Sequence, residues 1–453
     1  MKLFLGIDLG TSYFKVGLFD EVGLLHGLGR VAVPKTTPFP GACEVPIEQV
    51  WALLRQGLTE ALVQAGARST DIAGLSYSSQ ANSFVLLDAS DRPLTPLIVW
   101  KDLRARVAPA ELADFGQTDD FARVVGFRGM IPELAVVKWT WFRAQRPELW
   151  GRARRIMTLS DYLTFELIGE RVGDSSTASL LGLLDLRAKG WWDEALQIAG
   201  VSKETLSVPL APGTFAGRTT RRASELLGIP AGIPYAVGGL DHHVAALGGG
   251  LGPLADVSIS TGTVLAAISL IEDPVAESGC YHGPHVAPTR YYRLAFDSGG
   301  TEQIEELRRG LAPDLSISKL VEAAAAVGVG RDEEGSAAVA ARRFLERIAA
   351  CQRSLIGRVL GAREPRAVVA NGGLTRSTAW LQLDADLLGV PVIEPTCTES
   401  ACLGAALIGG VAAGVFTSFD EAARKMVHVR KYYFPCRPGR SISMSSGPGG
   451  ASV

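Results

Sequence analysis

Residues 2–20 read KLFLGIDLGTSYFKVGLFD: an apolar run, a short polar turn closing on Gly10-Thr11, then a second apolar run. Midway along the chain, residues 256–270 read DVSISTGTVLAAISL and repeat the pattern. Ile7-Asp8-Leu9-Gly10-Thr11 aligns without a gap on Ile259-Ser260-Thr261-Gly262-Thr263. Such a turn points backbone N–H groups and a threonine hydroxyl into one concavity, which suits a phosphate. Glycine lets the main chain approach the anion closely. Two copies, one per half, imply a duplicated fold that grips a polyphosphate between its halves. The copies differ at one place: the first carries a carboxylate, Asp8, where the second carries Ser260. Only one side therefore offers an acid for a metal, the pattern of an enzyme acting on a nucleotide with Mg²⁺.

Outward from the first turn, 24–33 reads as a third strand and 36–46 as a proline-rich loop. Residues 47–66 space Val50, Leu53, Leu54, Leu58 and Leu62 as one face of a helix. Strands are expected over 72–77 and 83–88, joined by the polar turn 78–82. Strands and helices then alternate, which predicts an α/β architecture. Proline and glycine crowd 228–234 just before the second hairpin. The chain is therefore divided into 1–240 and 241–436, with an interdomain cleft and a tail from 437 to 453 too poor in apolar residues to fold. In the second half, 336–360 predicts a long alanine-rich helix, 366–370 a strand closed by the turn Asn371-Gly372-Gly373, and 378–388 an amphipathic helix.

At 453 residues the chain is long enough for two or three domains. Its net charge of −2 supplies no attraction to nucleic acid or to an anionic membrane. No apolar run reaches bilayer-spanning length. The six cysteines form no CxxC pair and no zinc spacing. The expectation is a protein of the reducing cytoplasm, and a homodimer is compatible with it.

Four blocks in order resemble the FGGY family of carbohydrate kinases, xylulose kinases in particular, within the actin-like ATPase superfamily. They are DLGTSYFK at 8–15, GGLDHHVAALGGG at 238–250, STGT at 260–263, and NGGLTRSTAWLQLDADLLGVPV at 371–392, followed by ESACLGAA at 399–406. The resemblance implies two actin-like (ribonuclease-H-like) domains, ATP and Mg²⁺, and a small sugar as the other partner. A pentulose is the first expectation; tetruloses, hexuloses and polyols stay open.

On this resemblance Asp241 is the catalytic base. The chemistry agrees, because a sugar hydroxyl holds its proton until it attacks the phosphoryl group. The plain alternative is an aspartate that only stabilises a helix start. Asp8 and Asp241 are the expected metal contacts, Asp8 through water. Gly10, Thr11, Ser12 and Lys15 are assigned to phosphate, as are Gly262 and Thr263, while Gly372 and Gly373 are assigned to the nucleoside. Lys15 reads equally well as an exposed strand lysine. Gln80, Asn82, Trp100, Asp102 and Arg104 are assigned to the sugar. Asp102 and Arg104 read alternatively as a surface ion pair. His242 and His243 suggest the metal pair of a phosphoesterase, but neighbours on a helix diverge by about 100°. One packed histidine and one near the cleft is the preferred reading. The family's Gly-Glu-Arg-x-Pro motif is missing: 327–335 runs almost straight into the long helix. That departure motivates a rival reading, a non-catalytic sugar or nucleotide sensor.

Overall fold

A computed structural model of the chain describes residues 2–261, 264–275, 279–297, 302–327 and 336–436. Two seven-stranded sheets organise it. The first runs Phe215–Arg218, Pro234–Ala236, Ile72–Ser79, Leu3–Leu9, Tyr13–Phe19, Leu25–Ala32, and the short strand Gly239–Leu240 also pairs with Ile72–Ser79. The second runs Cys280–Pro284, Tyr291–Asp297, Leu265–Ile271, Val257–Thr261, Val368–Gly372, Val392–Pro395, Val429–Tyr433.

The duplication read from the two turns is present in the pairing. In the first sheet Asp8 lies opposite Lys15 in the antiparallel hairpin and opposite Ser78 in a parallel neighbour. In the second, Ser260 lies opposite Ala266 in the hairpin and opposite Asn371 in a parallel neighbour. Each acid-or-serine position is thus flanked by a hairpin partner on one side and a crossover strand on the other. Burial explains the composition of the first hairpin: every residue of Leu3–Leu9 is buried, as a central strand covered on both faces requires.

Two helices meet at the seam between the sheets. Asp241–Gly249 follows the strand Gly239–Leu240, and Ser400–Ala412 lies against both it and the first-sheet strands Leu3–Leu9 and Ile72–Ser79. Glycines make that crossing possible. A Cβ on Gly248 would fall 2.0 Å from the Ser400 carbonyl oxygen, and one on Gly404 would fall 2.0 Å from that of Val244. The near-continuous small and apolar sequence SACLGAALIGGVA is the mark of a helix enclosed on all sides.

Expected elements differ mainly at their ends. The strand expected to stop at Tyr77 continues through Ser79, so two residues assigned to the polar turn belong to the sheet. Likewise Asn371 and Gly372 extend the strand Val368–Gly372 instead of ending it. The first helix spans Ile47–Ala65, with Gly66 as its left-handed cap at φ 58°. The long helix is Ala337–Leu360, and the Ser336 side chain accepts the Val339 N–H at its start. The tail 437–453 and most of the 327–335 segment lie outside the described residues. Among the described residues no helix is long and apolar enough to cross a membrane.

Candidate active site

Asp8 ends the first strand buried, with Ser78 Oγ donating to its Oδ1 at 3.1 Å. Asp241 opens the helix Asp241–Gly249, and its Oδ1 accepts the His242 N–H at 2.8 Å. Among the described residues Asp241 Oδ2 has no hydrogen-bond partner. Both acids line one cavity of about 180 Å³ at the seam, together with Gly10, His242, Ser260 and Asn371. The two hairpins, some 250 positions apart in the chain, therefore face each other across that cavity. Gly262 and Thr263, the rest of the second turn, lie outside the described residues.

The electrostatics suit a cation. Burial pushes the Asp8 carboxyl up to about 6; Lys15 opposes this, while Asp241 and Glu399 add to it. Lys15 Nζ sits 2.9 Å from Glu399 Oε2 and 3.6 Å from Asp8 Oδ2. Burial works against its charge, but the two carboxylates outweigh burial and raise its pKa. The ammonium expected to face phosphate is thus already shared between two acids. Glu399 was not among the expected site residues. It lies 384 positions from its lysine, and its only signal was the ESACLGAA segment.

Mg²⁺ is held by one or two carboxylates plus phosphate oxygens and water, not by a full protein cage. Asp8 and Asp241 facing one small cavity fit that donor set. No group of three or more His, Cys, Asp or Glu side chains that could enclose a metal occurs among the described residues.

The residues assigned to the sugar divide sharply. Gln80 spends its whole amide on the turn: Nε2 donates to the carbonyls of Leu9 and Gly10, both at 3.2 Å. Its Oε1 accepts from Ser83 Oγ at 2.9 Å and from Thr11 Oγ1 at 3.4 Å. Trp100 closes this network, Nε1 donating to Thr11 Oγ1 at 2.8 Å and its backbone N–H to Ser83 Oγ at 2.9 Å. Asn82, at φ 62°, donates to the Leu180 carbonyl and accepts the Ala135 N–H. Asp102 is fully buried, and its oxygens accept from Cys43 N, Arg104 N and the Arg104 guanidinium. Arg104 in turn reaches Glu44, with the rings of Phe39, Trp141 and Phe142 at 5.0–5.3 Å.

The side chains of Gln80, Asn82, Asp102 and Arg104, which we propose for the sugar, thus also make hydrogen bonds within the protein. Their hydrogen bonds were invisible in sequence because the partners lie far away in the chain. The surface-pair alternative for Asp102 and Arg104 fails, since both side chains are buried. Trp100 and Arg104 are partly exposed as residues, whereas Gln80, Asn82 and Asp102 are buried.

Bracing makes a prediction. Gln80→Ala removes the amide donor of the Gly10 carbonyl and one hydrogen bond each from the Leu9 carbonyl, Ser83 Oγ and Thr11 Oγ1. The last three keep their bonds to the Gln80 N–H and to Trp100. The change is expected to lower stability by about 1–2 kcal/mol, with or without sugar. Denaturant unfolding reads this; an unchanged midpoint with a raised KM for sugar would show that Gln80 acts on the sugar and not on the fold.

The remaining candidates are placed as follows. Ser12 is exposed at the first turn, its carbonyl accepting the Val33 N–H at 3.0 Å. Gly372 and Gly373 follow Asn371 directly; Gly372 has φ 100°, and a Cβ there would meet the Thr261 carbonyl at 2.6 Å. His243 is fully buried, whereas His242 lines the cavity with its ring 5.1 Å from that of Phe296. One packed and one near the cleft is the arrangement expected. The divergent directions of the two rings argue against a shared metal.

Two family models match the chain: the FGGY family of carbohydrate kinases, N-terminal domain, over residues 3–248, and its C-terminal domain over 322–413. The chain belongs to the FGGY family. An autoinducer-2 kinase of Salmonella choleraesuis is 26% identical over 485 aligned positions, covering 95% of this chain and 90% of the relative. Among solved structures, a xylulose kinase from Brucella ovis superposes with a TM-score of 0.84 at 24% identity, covering 96% of this chain and 94% of that one. A gluconate kinase from Lactobacillus acidophilus gives 0.84 at 22% with the same coverage. The FGGY fold of two actin-like domains is thus the fold of this chain. As a member it is a sugar kinase that uses ATP as co-substrate.

Proposed function

We propose that the chain transfers the γ-phosphoryl group of Mg·ATP to a hydroxyl of a small ketose or polyol, a pentulose first, with Asp241 as general base. The observation that carries this reading is the pair of acids, Asp8 and Asp241, facing one cavity between the duplicated hairpins. We assign residues 1–240 to sugar and 241–436 to nucleotide, although the helix Ser400–Ala412 packs against the first sheet. We place the enzyme in the cytoplasm.

In this reading the sugar oxygen forms the new P–O bond as the bond from phosphorus to the β,γ-bridging oxygen breaks. That electron pair leaves with ADP, and the hydroxyl proton passes to Asp241 Oδ2. Oδ1 is already tied to the His242 N–H, which fixes the carboxylate plane and leaves the other oxygen open. Asp241 stands in the first turn of its helix. Asp8 and Asp241 would hold Mg²⁺, which when bound offsets charge on the transferring phosphoryl group. Lys15, tied to Asp8 and Glu399, balances the surplus of acid beside it. Closure of the halves would exclude water and spare ATP from hydrolysis.

Relatives of similar fold are named for different acceptors, so the substrate is decided by assay. Coupled ADP release is measured with Mg·ATP against pentuloses, tetruloses, hexuloses, gluconate, glycerol and autoinducer-2. Saturable ADP release with one ketose or polyol class is expected. A flat response from protein that still binds ATP would overturn the proposal in favour of a binding-only protein.

A further inference from the structure

Behind Asp241 runs a buried chain of hydrogen bonds that the proposed reaction does not use. The Leu240 N–H, one residue before Asp241, donates to Ser176 Oγ at 3.1 Å. Ser176 Oγ lies 3.4 Å from His243 Nδ1, and His243 Nε2 lies 2.7 Å from His285 Nδ1. Ser176 and His243 are fully buried and His285 nearly so.

The hydrogen-bond network assigns the direction of the chain. Ser176 accepts from Leu240 and gives its own hydrogen to His243 Nδ1. His243 then donates through Nε2 to His285 Nδ1. The reverse direction would leave the serine hydrogen without an acceptor. Ser176 and His243 each have one donor and one acceptor in use, so the chain is continuous from the Leu240 N–H to His285.

Its members come from both halves. Ser176, on the short helix Ser175–Ala178, and His243 lie in the stretch matched by the N-terminal family model, 3–248, whereas Tyr292 lies in a strand of the second sheet and His285 follows another. Tyr292 OH donates to the Ser176 carbonyl at 3.0 Å, and the ring of Tyr292 packs 5.1 Å from that of His243. Gly239 lets the chain close, because a Cβ there would sit 3.3 Å from both Ser176 Oγ and His243 Nδ1. On the other side, Gly239 and Leu240 are pinned to Ser78 and Ser79, and Ser78 holds Asp8. The peptide leading into Asp241 is thus clamped between Asp8's neighbouring strand and the serine–histidine chain.

A buried histidine pair is ordinarily core packing. Here the inner end of the chain is not a core group but the peptide N–H next to the base. We propose that Ser176 and His243 are positioning residues that fix where Asp241 enters the cavity, and that the clamp forms only when the two halves are docked. The proposal rests on the reading of Asp241 as base. Misplacing a catalytic group by about 1 Å costs up to about 10²-fold in rate, so a loosened clamp lowers kcat and leaves ground-state binding alone.

The test compares wild type, Ser176→Ala, His243→Asn, His243→Gln, the double variant Ser176→Ala/His243→Gln, and Asp241→Ala, in steady-state assays with thermal unfolding as the folding control. Ser176→Ala is expected to lower kcat about tenfold, with KM for ATP and sugar within about twofold. His243→Asn keeps an acceptor near the place of Nδ1 and is expected to retain more activity than His243→Gln, which keeps only the bond to His285. The double variant is expected to be no slower than Ser176→Ala, because both break one chain. If Ser176→Ala does not fold, Ser176→Cys, with similar bulk and a weaker hydrogen bond, is expected to show a smaller fall in kcat alone.

Wild-type kcat in folded Ser176→Ala or Ser176→Cys, or losses that multiply in the double variant, would overturn the proposal. Asp241→Ala separates the two readings. If it is inactive while Ser176→Ala is normal, only the positioning role fails; if it is active, the base assignment itself fails.

Discussion

Asp241→Ala is expected to lower kcat by about 10²–10⁴-fold, the usual range for loss of a general base, equivalent to about 3–5 kcal/mol in the barrier. The size follows from the absence of a substitute. Asp8 is the other acid on the cavity, but it is paired with Lys15 and bonded by Ser78. His242 packs its ring against Phe296. Neither has an open oxygen at the helix start. The fold should survive, because Asp241 makes no ion pair among the described residues and its one hydrogen bond is to the adjacent residue's N–H. Loss of a favourable charge in the first turn costs about 0.3–1 kcal/mol, a small shift in unfolding temperature. Asp241→Asn sharpens the experiment: it keeps the shape and the bond to His242 but cannot take a proton. Equal loss in both variants, with the dependence on Mg²⁺ concentration unchanged, assigns the effect to proton transfer rather than to metal binding. Activity in Asp241→Asn close to wild type would refute the general-base role.

The fold was legible because its deciding signals are local or repeated. The two hairpins share their spacing, and the position of Asp241 follows from Gly238-Gly239-Leu240 feeding a helix. The sugar site was much less legible. Gln80, Asn82 and Asp102 have the polar character and turn context that a ligand site needs, but sequence does not show that each also has hydrogen-bond partners inside the protein. Gln80 meets Leu9 and Gly10, Asn82 meets Ala135 and Leu180, and Asp102 meets Cys43. Each pairing is set by tertiary approach rather than by spacing. Glu399 was missed for the same reason in reverse: an acid in a segment of family resemblance acquires its role only when the seam helix brings it to Lys15. The serine–histidine chain likewise joins 176, 240, 243 and 285, which no local pattern relates.

Asp384 provides the second large effect, on stability. It reads as one polar residue in the amphipathic helix Thr378–Leu388, yet it is fully buried and, among the described residues, neither oxygen meets a donor in good hydrogen-bond geometry. Gln352, from the long helix, is also buried near it, and among the described residues neither of its amide atoms has a well-formed hydrogen bond. Burial pushes the Asp384 carboxyl up to about 8, with Gln352 opposing the shift. An acid whose native pKa is raised stabilises the fold least at high pH. Below about pH 4 both states hold the proton and no penalty applies; from there to about 8 only the unfolded chain releases it freely. At about 1.36 kcal/mol per pH unit, the penalty at pH 7 reaches about 4 kcal/mol as an upper bound. Asp384→Asn removes the titration and supplies an amide that can exchange hydrogen bonds with Gln352. It is expected to stabilise the protein by about 2–4 kcal/mol at pH 7. The gain should shrink steadily toward pH 4.5, which distinguishes relief of a buried charge from ordinary repacking. Urea unfolding of both proteins at several pH values measures it. A gain independent of pH would show that Asp384 is not held protonated, and a loss at pH 7 would show that its carboxylate has a partner the amide cannot replace.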